Sequence, residues 1–95
     1  DTDERWKGAD SLRLLQRVGE IVREAGWEIG NVQGTVICER PKVRPHVEAM
    51  RGNIGRALGI DPSQVGIQGT TTEKLGFTGR GEGIAAQAVA LVGRA

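Results

Sequence analysis

The residues with the clearest chemical potential lie between Gly69 and Gly83, in the stretch GTTTEKLGFTGRGEG. The threonine hydroxyls at positions 70–72, together with Lys74 and Arg80, are donors that phosphate oxygens accept from. Glu73 adds a carboxylate, the hard oxygen ligand that a divalent cation on a polyphosphate prefers. The composition alone suits a flexible surface loop equally well, and it is the order of the residues that favours a phosphate site.

A second candidate is the proline-framed segment Glu39–Pro45, ERPKVRP. Pro41 and Pro45 remove two amide donors, and we expect them to hold the backbone extended. Such a rigid edge could hydrogen-bond a planar ligand such as a nucleobase. The spacing alone favours an ordinary strand-to-helix connection with proline in the first helical turn. His46 has no second histidine at ligand spacing, so we expect a surface or capping residue rather than a metal ligand.

The elements that position these segments follow from the hydrophobic pattern. Apolar residues recur at spacings of three and four between residues 10 and 25, which predicts a helix. Asp10 or Ser11 could cap this helix and Gly26 could end it. The polar, aperiodic segment before it, residues 1–8, is predicted to be a loop.

The next elements are a strand and a second helix. Residues 27–38 are rich in β-branched side chains, which predicts a strand covered on both faces, with a bend at Gly30 or Gly34. A second apolar stripe predicts a helix over Pro45–Leu58 that Gly59 ends.

The last elements fix the predicted fold class. Residues 65–70 alternate as a short strand does, whereas residues 84–91 suit a helix or a strand equally well. This order predicts an α+β fold, a two-layer sandwich with helices packed on one face of a mixed β-sheet.

Composition limits the class of protein. The chain has 95 residues, 38% of them apolar, and its aromatic residues are Trp6, Trp27 and Phe77. So small an aliphatic core suggests that an oligomer interface or a further part of the chain completes it. The net charge of +1 gives no electrostatic basis for a nucleic-acid or membrane partner, and no apolar run approaches membrane-spanning length. The single cysteine, Cys38, excludes an internal disulfide and fits a reducing compartment.

The order of the motifs resembles one known family. The run TTTEKLGFTGRGEG is similar to the signature of 2-C-methyl-D-erythritol 2,4-cyclodiphosphate synthase, an enzyme of non-mevalonate isoprenoid biosynthesis. Shorter matches occur in the same order along the chain: DTDERWKGADS at the start, GNV at 30–32, PK at 41–42, PH at 45–46 and MR at 50–51. The resemblance covers essentially the whole chain and the C-terminal part of the family's polypeptide.

The resemblance implies a reaction. The family converts 4-diphosphocytidyl-2-C-methyl-D-erythritol 2-phosphate to the cyclic diphosphate and CMP, a phosphoryl transfer in which the substrate's own phosphate is the nucleophile. It implies that Thr71 stabilises the transition state, with Thr70 and Thr72 beside it. Glu73 matches the ligand of a divalent ion, magnesium or manganese, on the diphosphate. Phe77 and Arg80 match residues that bind substrate.

The resemblance also assigns the segments around that loop. The residues that match the cytosine-recognising main chain are Cys38, Glu39, Arg40, Pro41, Lys42, Val43 and Arg44. The residues that match the end of a mobile loop over the methylerythritol phosphate are Asp1, Thr2 and Asp3. The family's last segment is a strand, which implies a strand at residues 84–92.

The family is a homotrimer with active sites between neighbouring subunits. Arg80 and Glu82 match residues near the threefold axis, where some members bind an isoprenoid diphosphate, so we expect that pocket here. A bacterial biosynthetic enzyme of this kind is expected in the cytoplasm.

One departure from the family is large. Its zinc site uses Asp-x-His and a further histidine near the N-terminus, and His46, the single histidine here, matches neither. We therefore expect residues 1–95 to be the C-terminal part of one synthase domain, either as a fragment or as an ordered segment after a disordered loop. Alone, they should not be catalytic. Two other hypotheses are a non-catalytic module that binds nucleotides or isoprenoid diphosphates, and a structural trimerisation domain.

Overall fold

The computed structural model describes the backbone from Glu4 to Ala95 and the side chains from Gly8 onward, so Asp1, Thr2 and Asp3 lie outside the described residues. The elements in chain order are α1 (Glu4–Glu24), β1 (Trp27–Ile37), α2 (Val47–Leu58), β2 (Val65–Thr70), α3 (Gly76–Gly79) and β3 (Ala85–Arg94). Short 3-10 turns at Arg44–His46 and Pro62–Gln64 precede α2 and β2.

Helix α1 begins earlier than the sequence pattern predicts. The expected loop over residues 1–8 is wrong from Glu4 onward, and Asp10 and Ser11 lie inside the helix rather than at its cap. The glycine nearest its start, Gly8, costs about 1 kcal/mol relative to alanine, which is too little to stop a helix of this length. The predicted end is confirmed: Gly26 follows Glu24 closely and has φ of +91°, the left-handed conformation that glycine adopts without penalty.

The three strands form one mixed sheet in the order β2-β1-β3. Strand β1 pairs in parallel with β2, from Val32 opposite Val65 to Ile37 opposite Thr70. It pairs antiparallel with β3, so the strand that the family resemblance implied for residues 84–92 is confirmed. A register shift between Ile29 and Asn31 places the predicted irregularity of β1 at Gly30.

The two long helices pack on each other and on the sheet, α1 against β1 and α2 against β2. Their contact is close because Gly19 of α1 is buried: a β-carbon there would lie 3.3 Å from Leu58 Cδ2. Arg23 also donates a hydrogen bond from α1 to the Leu58 carbonyl. Helices packed with a mixed three-stranded sheet confirm the predicted α+β class.

The connection into α2 differs from one prediction. Pro45 lies in the 3-10 turn Arg44–His46, and Val43 before it is helical with φ −80° and ψ −34°, so Pro45 does not hold the backbone extended. Proline suits this turn because its missing amide has no partner to lose there. The alternative of a strand-to-helix connection is therefore confirmed. His46 is exposed and makes no side-chain capping bond.

The described residues leave much apolar surface uncovered. The buried apolar side chains are Cys38, Leu58 and Val65, whereas the helix α1 exposes a stripe of Leu14, Val18 and Ile21 and β3 exposes Val89, Leu91 and Val92. The predicted smallness of the core is confirmed. In the part of the chain that is described, no helix combines the length and the apolar character needed to cross a membrane.

Candidate functional site

The parallel pairing of β1 and β2 brings the two candidate segments together. Both strands end at the same edge of the sheet, where Ile37 pairs with Thr70 and the Cys38 amide donates to the Thr70 carbonyl at 3.1 Å. The proline-framed segment therefore leaves β1 beside the threonines that leave β2. The carboxyl ends of neighbouring parallel strands are the usual place for a ligand in an α/β sheet.

A cavity of about 430 Å³ opens where these segments meet. Its walls come from the loop after β1, the start of α2 and the end of β2: Cys38, Glu39, Pro41, Lys42, Val43, Arg44, Val47, Ile67, Gln68, Gly69, Thr70 and Thr71. The structure thus brings together every residue predicted for the base-binding loop except Arg40, with two of the predicted phosphate-binding threonines. A cavity of this size suits a nucleotide-sized ligand.

The sequence analysis did not predict that four other residues would line this cavity. They are Val47, Ile67, Gln68 and Gly69. A β-carbon on Gly69 would lie 2.8 Å from Val43 Cβ, so a glycine at this position is what lets the loop after β1 fold down onto β2. The sequence indicates this contact only by having a glycine, Gly69, near the end of the alternating pattern of residues 65–70.

The loop after β1 is fixed by its own contacts. The buried Cys38 Sγ lies 3.4 Å from the Pro41 carbonyl oxygen, and the Arg40–Pro41 peptide bond is cis. At the other end the His46 amide donates to the Val43 carbonyl at 2.8 Å. These contacts present the intervening main chain to the cavity in a defined conformation, as recognition of a planar heterocycle requires.

The loop after β2 makes a tight turn over residues 71–75. The Leu75 amide donates to the Thr72 carbonyl at 3.1 Å, and the Thr72 hydroxyl donates back to the Leu75 carbonyl. Between them Glu73 and Lys74 have φ of +56° and +66°. Positive φ is uncommon for residues other than glycine and is concentrated at functional sites.

The hydroxyl groups of Thr71 and Thr72 differ in whether their hydrogen is available to a ligand. Thr71 Oγ1 accepts from the Glu73 amide at 3.3 Å, which leaves its own hydrogen available for a ligand. Thr72 Oγ1 already donates to the Leu75 carbonyl, so it has no hydrogen left for a phosphate oxygen. Of the two threonines, Thr71 is the better placed to donate to a bound anion.

A second cavity of about 440 Å³ lies on the other side of Glu39. It is lined by Glu39, Arg40, Lys74, Gly79, Arg80 and Gly81. Arg40 lines this cavity and not the first, so the structure places it apart from the other residues predicted for the base-binding loop. The Glu39 Oε2 atom is buried and has no hydrogen-bond partner among the described residues.

Four predicted residues in the described part of the chain line neither cavity. Thr72, Glu73, Phe77 and Glu82 are in neither wall. Glu82 accepts a hydrogen bond from Arg80 Nε at 3.0 Å, so the pair predicted for an isoprenoid diphosphate is in contact. Gly76 and Gly81 of this segment have positive φ, which glycine adopts without penalty.

The described side chains contain no group of three histidine, cysteine, aspartate or glutamate residues close enough to hold a metal ion. A protein zinc site needs three or four such ligands, so these residues do not fit zinc. Glu73 is exposed beside the threonine hydroxyls, and one carboxylate suffices for magnesium because phosphates and waters supply the other ligands.

Comparison with known proteins gives a consistent result. Residues 1–93 match the model of the YgbB family. A curated relative from Rubrobacter xylanophilus, named 2-C-methyl-D-erythritol 2,4-cyclodiphosphate synthase, is 59% identical over 95 residues, which are 100% of this chain and 57% of the relative. The chain thus spans less than three fifths of that relative's length.

Solved structures show the same similarity. The Plasmodium vivax 2C-methyl-D-erythritol 2,4-cyclodiphosphate synthase superposes with a TM-score of 0.87 at 39% identity, over 90% of this chain and 57% of that one. A Plasmodium falciparum IspF described as a CDP complex superposes with a TM-score of 0.81 at 31% identity, over 88% of this chain and 53% of that one.

Proposed function

Because this chain belongs to the YgbB family, we propose that it is the nucleotide- and diphosphate-binding part of a 2-C-methyl-D-erythritol 2,4-cyclodiphosphate synthase. In this proposal residues 1–95 are the C-terminal part of a single synthase domain. The observation that carries it is the cavity that joins the loop after β1 to Thr70 and Thr71. The solved relative described as a CDP complex supports a cytidine nucleotide as its occupant.

The cytosine ring binds the main chain of the loop Cys38–Arg44. Main-chain carbonyls accept from the exocyclic amino group of cytosine, and main-chain amides donate to its carbonyl oxygen and to its unsubstituted ring nitrogen. Recognition of this kind depends on a backbone of fixed conformation, which the Cys38–Pro41 and His46–Val43 contacts supply.

The diphosphate extends from the base toward the turn after β2. Thr71 donates its free hydroxyl hydrogen to a phosphate oxygen, and Thr70 lies beside it. Lys74 and Arg80, from the second cavity, contribute positive charge. Glu73 would hold magnesium or manganese, which when bound neutralises charge on the phosphate oxygens.

The chemistry then needs positioning more than covalent participation. An oxygen of the substrate's 2-phosphate forms a bond to the β-phosphorus, and the bond from that phosphorus to the oxygen of CMP breaks, so that CMP leaves. Fixing the two phosphates in line supplies the main advantage, and donors around the β-phosphate stabilise its developing charge. Thr71 is the residue that we place at this step. Asp1, Thr2 and Asp3 would cover the methylerythritol end.

The complete enzyme needs more than these residues. Since the described residues do not fit zinc, we propose that a segment with Asp-x-His and a further histidine supplies that metal, and that homotrimer formation covers the exposed apolar side chains of α1 and β3. Arg80 and Glu82 would then face an isoprenoid diphosphate at the threefold axis.

A second candidate function is a non-catalytic module that binds cytidine nucleotides. The specific observation in its favour is the lack of a metal-binding group among the described residues. The two proposals differ in whether turnover appears once a segment with the zinc ligands accompanies this chain: a synthase part should then release CMP, and a binding module should not. The 95-residue chain alone should release no CMP from the synthase substrate, whereas the full-length Rubrobacter relative should; CMP release by the chain alone at a comparable rate would refute the division of labour proposed here.

The base site is tested by calorimetric titration with CDP and, as the matched control, UDP, each with magnesium. Uracil carries a carbonyl where cytosine carries an amino group, so only CDP should satisfy the main-chain acceptors. We expect CDP to bind about tenfold or more tightly than UDP, since one mispaired polar group costs about 1–3 kcal/mol. Equal affinities, or no binding of either, would count against the proposal.

A further inference from the structure

The structure buries one hydroxyl directly behind the turn after β2. Thr78 in α3 is 4% exposed, and its Oγ1 lies 3.1 Å from Thr72 Oγ1. Neither the sequence pattern nor the family resemblance gave Thr78 a role. A buried polar side chain in a four-residue helix requires a reason, because burial without a hydrogen bond costs more than the bond contributes.

The direction of this hydrogen bond follows from proton counting. A threonine hydroxyl has one hydrogen, and Thr72 donates its hydrogen to the carbonyl of Leu75, which can only accept. Thr78 must therefore donate to Thr72. The result is a directed relay from the Thr78 hydroxyl to the Thr72 hydroxyl to the Leu75 carbonyl.

This relay closes the turn that carries the candidate metal ligand. Thr72 and Leu75 are its ends, joined also by the Leu75 amide donating to the Thr72 carbonyl at 3.1 Å. Glu73 and Lys74 lie between them with positive φ, a strained conformation that residues other than glycine keep only where surrounding contacts hold it. The Glu73 amide in turn donates to Thr71 Oγ1 at 3.3 Å.

We infer that Thr78 is a positioning residue for diphosphate binding, acting through Thr72. By fixing the left-handed pair, the relay aims the Glu73 carboxylate and orients the Thr71 hydroxyl so that its hydrogen faces the ligand. The inference rests on the proposed function for the identity of the ligand, a cytidine diphosphate with a divalent cation. The base-binding loop is not part of the relay, so cytidine itself should be insensitive to it.

The test compares Thr78→Val, which keeps the shape and removes the donor, with Thr78→Ser, which keeps the donor. The control Ser11→Ala removes an exposed hydroxyl from α1, outside both cavity walls. For Thr78→Val we expect a loss of about threefold to tenfold in CDP affinity with magnesium, as for one hydrogen bond, and no change for cytidine. Thr78→Ser and Ser11→Ala should bind both ligands as the wild type does.

The outcomes separate this inference from the proposed function. If the wild type binds neither cytidine nor CDP, the proposed function fails. If it binds both and Thr78→Val binds CDP equally well, the inference fails and the proposed function stands. Equal losses for cytidine and CDP in Thr78→Val would assign Thr78 a merely structural role and overturn the inference.

The relay can also be measured by NMR without a ligand, and the wild-type and Thr78→Ser measurements do not depend on the folding of Thr78→Val. In the wild type the Thr78 hydroxyl proton should exchange slowly enough to be seen by NMR, with a cross-peak to the Thr72 side chain. In Thr78→Ser the amides of Glu73 and Leu75 should keep wild-type exchange rates, and in a folded Thr78→Val they should exchange about threefold to tenfold faster, as for loss of one hydrogen bond. A rapidly exchanging Thr78 hydroxyl would contradict the relay.

Discussion

Gly79 lies against the main chain of Lys74 so closely that a β-carbon on Gly79 would be 2.2 Å from the Lys74 carbonyl carbon. Lys74 is one of the two left-handed residues of the turn that carries Glu73. Helix α3 therefore rests on the back of this turn, and a side chain on Gly79 would have to displace one of them. The glycine-rich character of the segment is, at this position, a requirement for close packing rather than for flexibility.

Gly79→Ala should accordingly damage both stability and diphosphate binding. We expect destabilisation by about 1–3 kcal/mol, as for overpacking in a tight contact, and a loss of CDP affinity of about tenfold or more. Gly93→Ala is the matched control, because a β-carbon on Gly93 meets nothing within 4 Å. Urea denaturation and calorimetry provide the measurements, and wild-type behaviour of Gly79→Ala in both would show that the contact is not as close as described.

Glu73→Gln should separate the metal contribution from the base contribution. The substitution keeps the side-chain length and removes the charge that attracts a divalent cation. We expect magnesium to strengthen CDP binding in the wild type and to have little effect on CDP binding in Glu73→Gln, while cytidine affinity stays the same in both. Glu28→Gln, which removes an exposed carboxylate near the start of β1 and outside both cavity walls, serves as the control. An unchanged magnesium effect in Glu73→Gln would remove Glu73 from the proposed metal site.

Arg51 should be a stabilising residue of the turn that leads into β2. Its guanidinium donates to the Val65 carbonyl at 2.8 Å and to the Pro62 carbonyl at 2.9 Å. Arg51→Met should therefore cost about 1–3 kcal/mol in urea denaturation, and Arg51→Lys should recover only part of it because lysine lacks the planar fork. Arg13→Met, at an exposed surface position, should change stability by less than about 0.5 kcal/mol.

Asp61 should contribute to the acid sensitivity of the fold. The Ser63 backbone amide donates to its carboxylate at 2.9 Å and holds the Asp61 pKa below its usual value. A lowered pKa means that this contribution is complete above the unfolded pKa, about 3.9, and is lost as the pH falls through the lower folded pKa.

Asp61→Asn retains an acceptor oxygen and does not titrate. Its free energy of unfolding should fall less steeply than that of the wild type as the pH is lowered below about 4. The comparison is made by urea denaturation at a series of pH values. If the free energy of unfolding falls equally steeply with pH in the two proteins, the Asp61 carboxylate does not link folding to pH.

Much of this architecture follows from local sequence signals. The ends of α1 and α2 were predictable from Gly26 and Gly59, because glycine readily takes the positive φ that both residues have after the last turn of a helix. The start of α1 was not, because Asp10 and Ser11 have the chemistry of a cap but lie within a run that stays helical from Glu4. Local residue types give the possible caps, and the packing of the whole helix decides among them.

The candidate site likewise has features that the local sequence predicts and features that it does not. The order of residues 70–74 and the prolines at 41 and 45 identified both loops, but nothing local says that β1 and β2 pair in parallel and so bring the loops together. The left-handed φ of Glu73 has no local signal either: the turn that contains Glu73 is closed by the bond from the Thr72 hydroxyl to the Leu75 carbonyl and meets Gly79 at Lys74. Contacts of these kinds leave no periodic trace in the sequence.

The central claim is that one cavity holds a cytidine diphosphate between the loop after β1 and the turn after β2. The most direct test is a crystal structure of the protein with CDP and magnesium. We predict the cytosine ring against the main chain of residues 38–44, a phosphate oxygen within hydrogen-bond distance of Thr71 Oγ1, and magnesium about 2.1 Å from a Glu73 carboxylate oxygen. CDP bound elsewhere on the protein, or no CDP in this cavity at saturating concentration, would contradict the account.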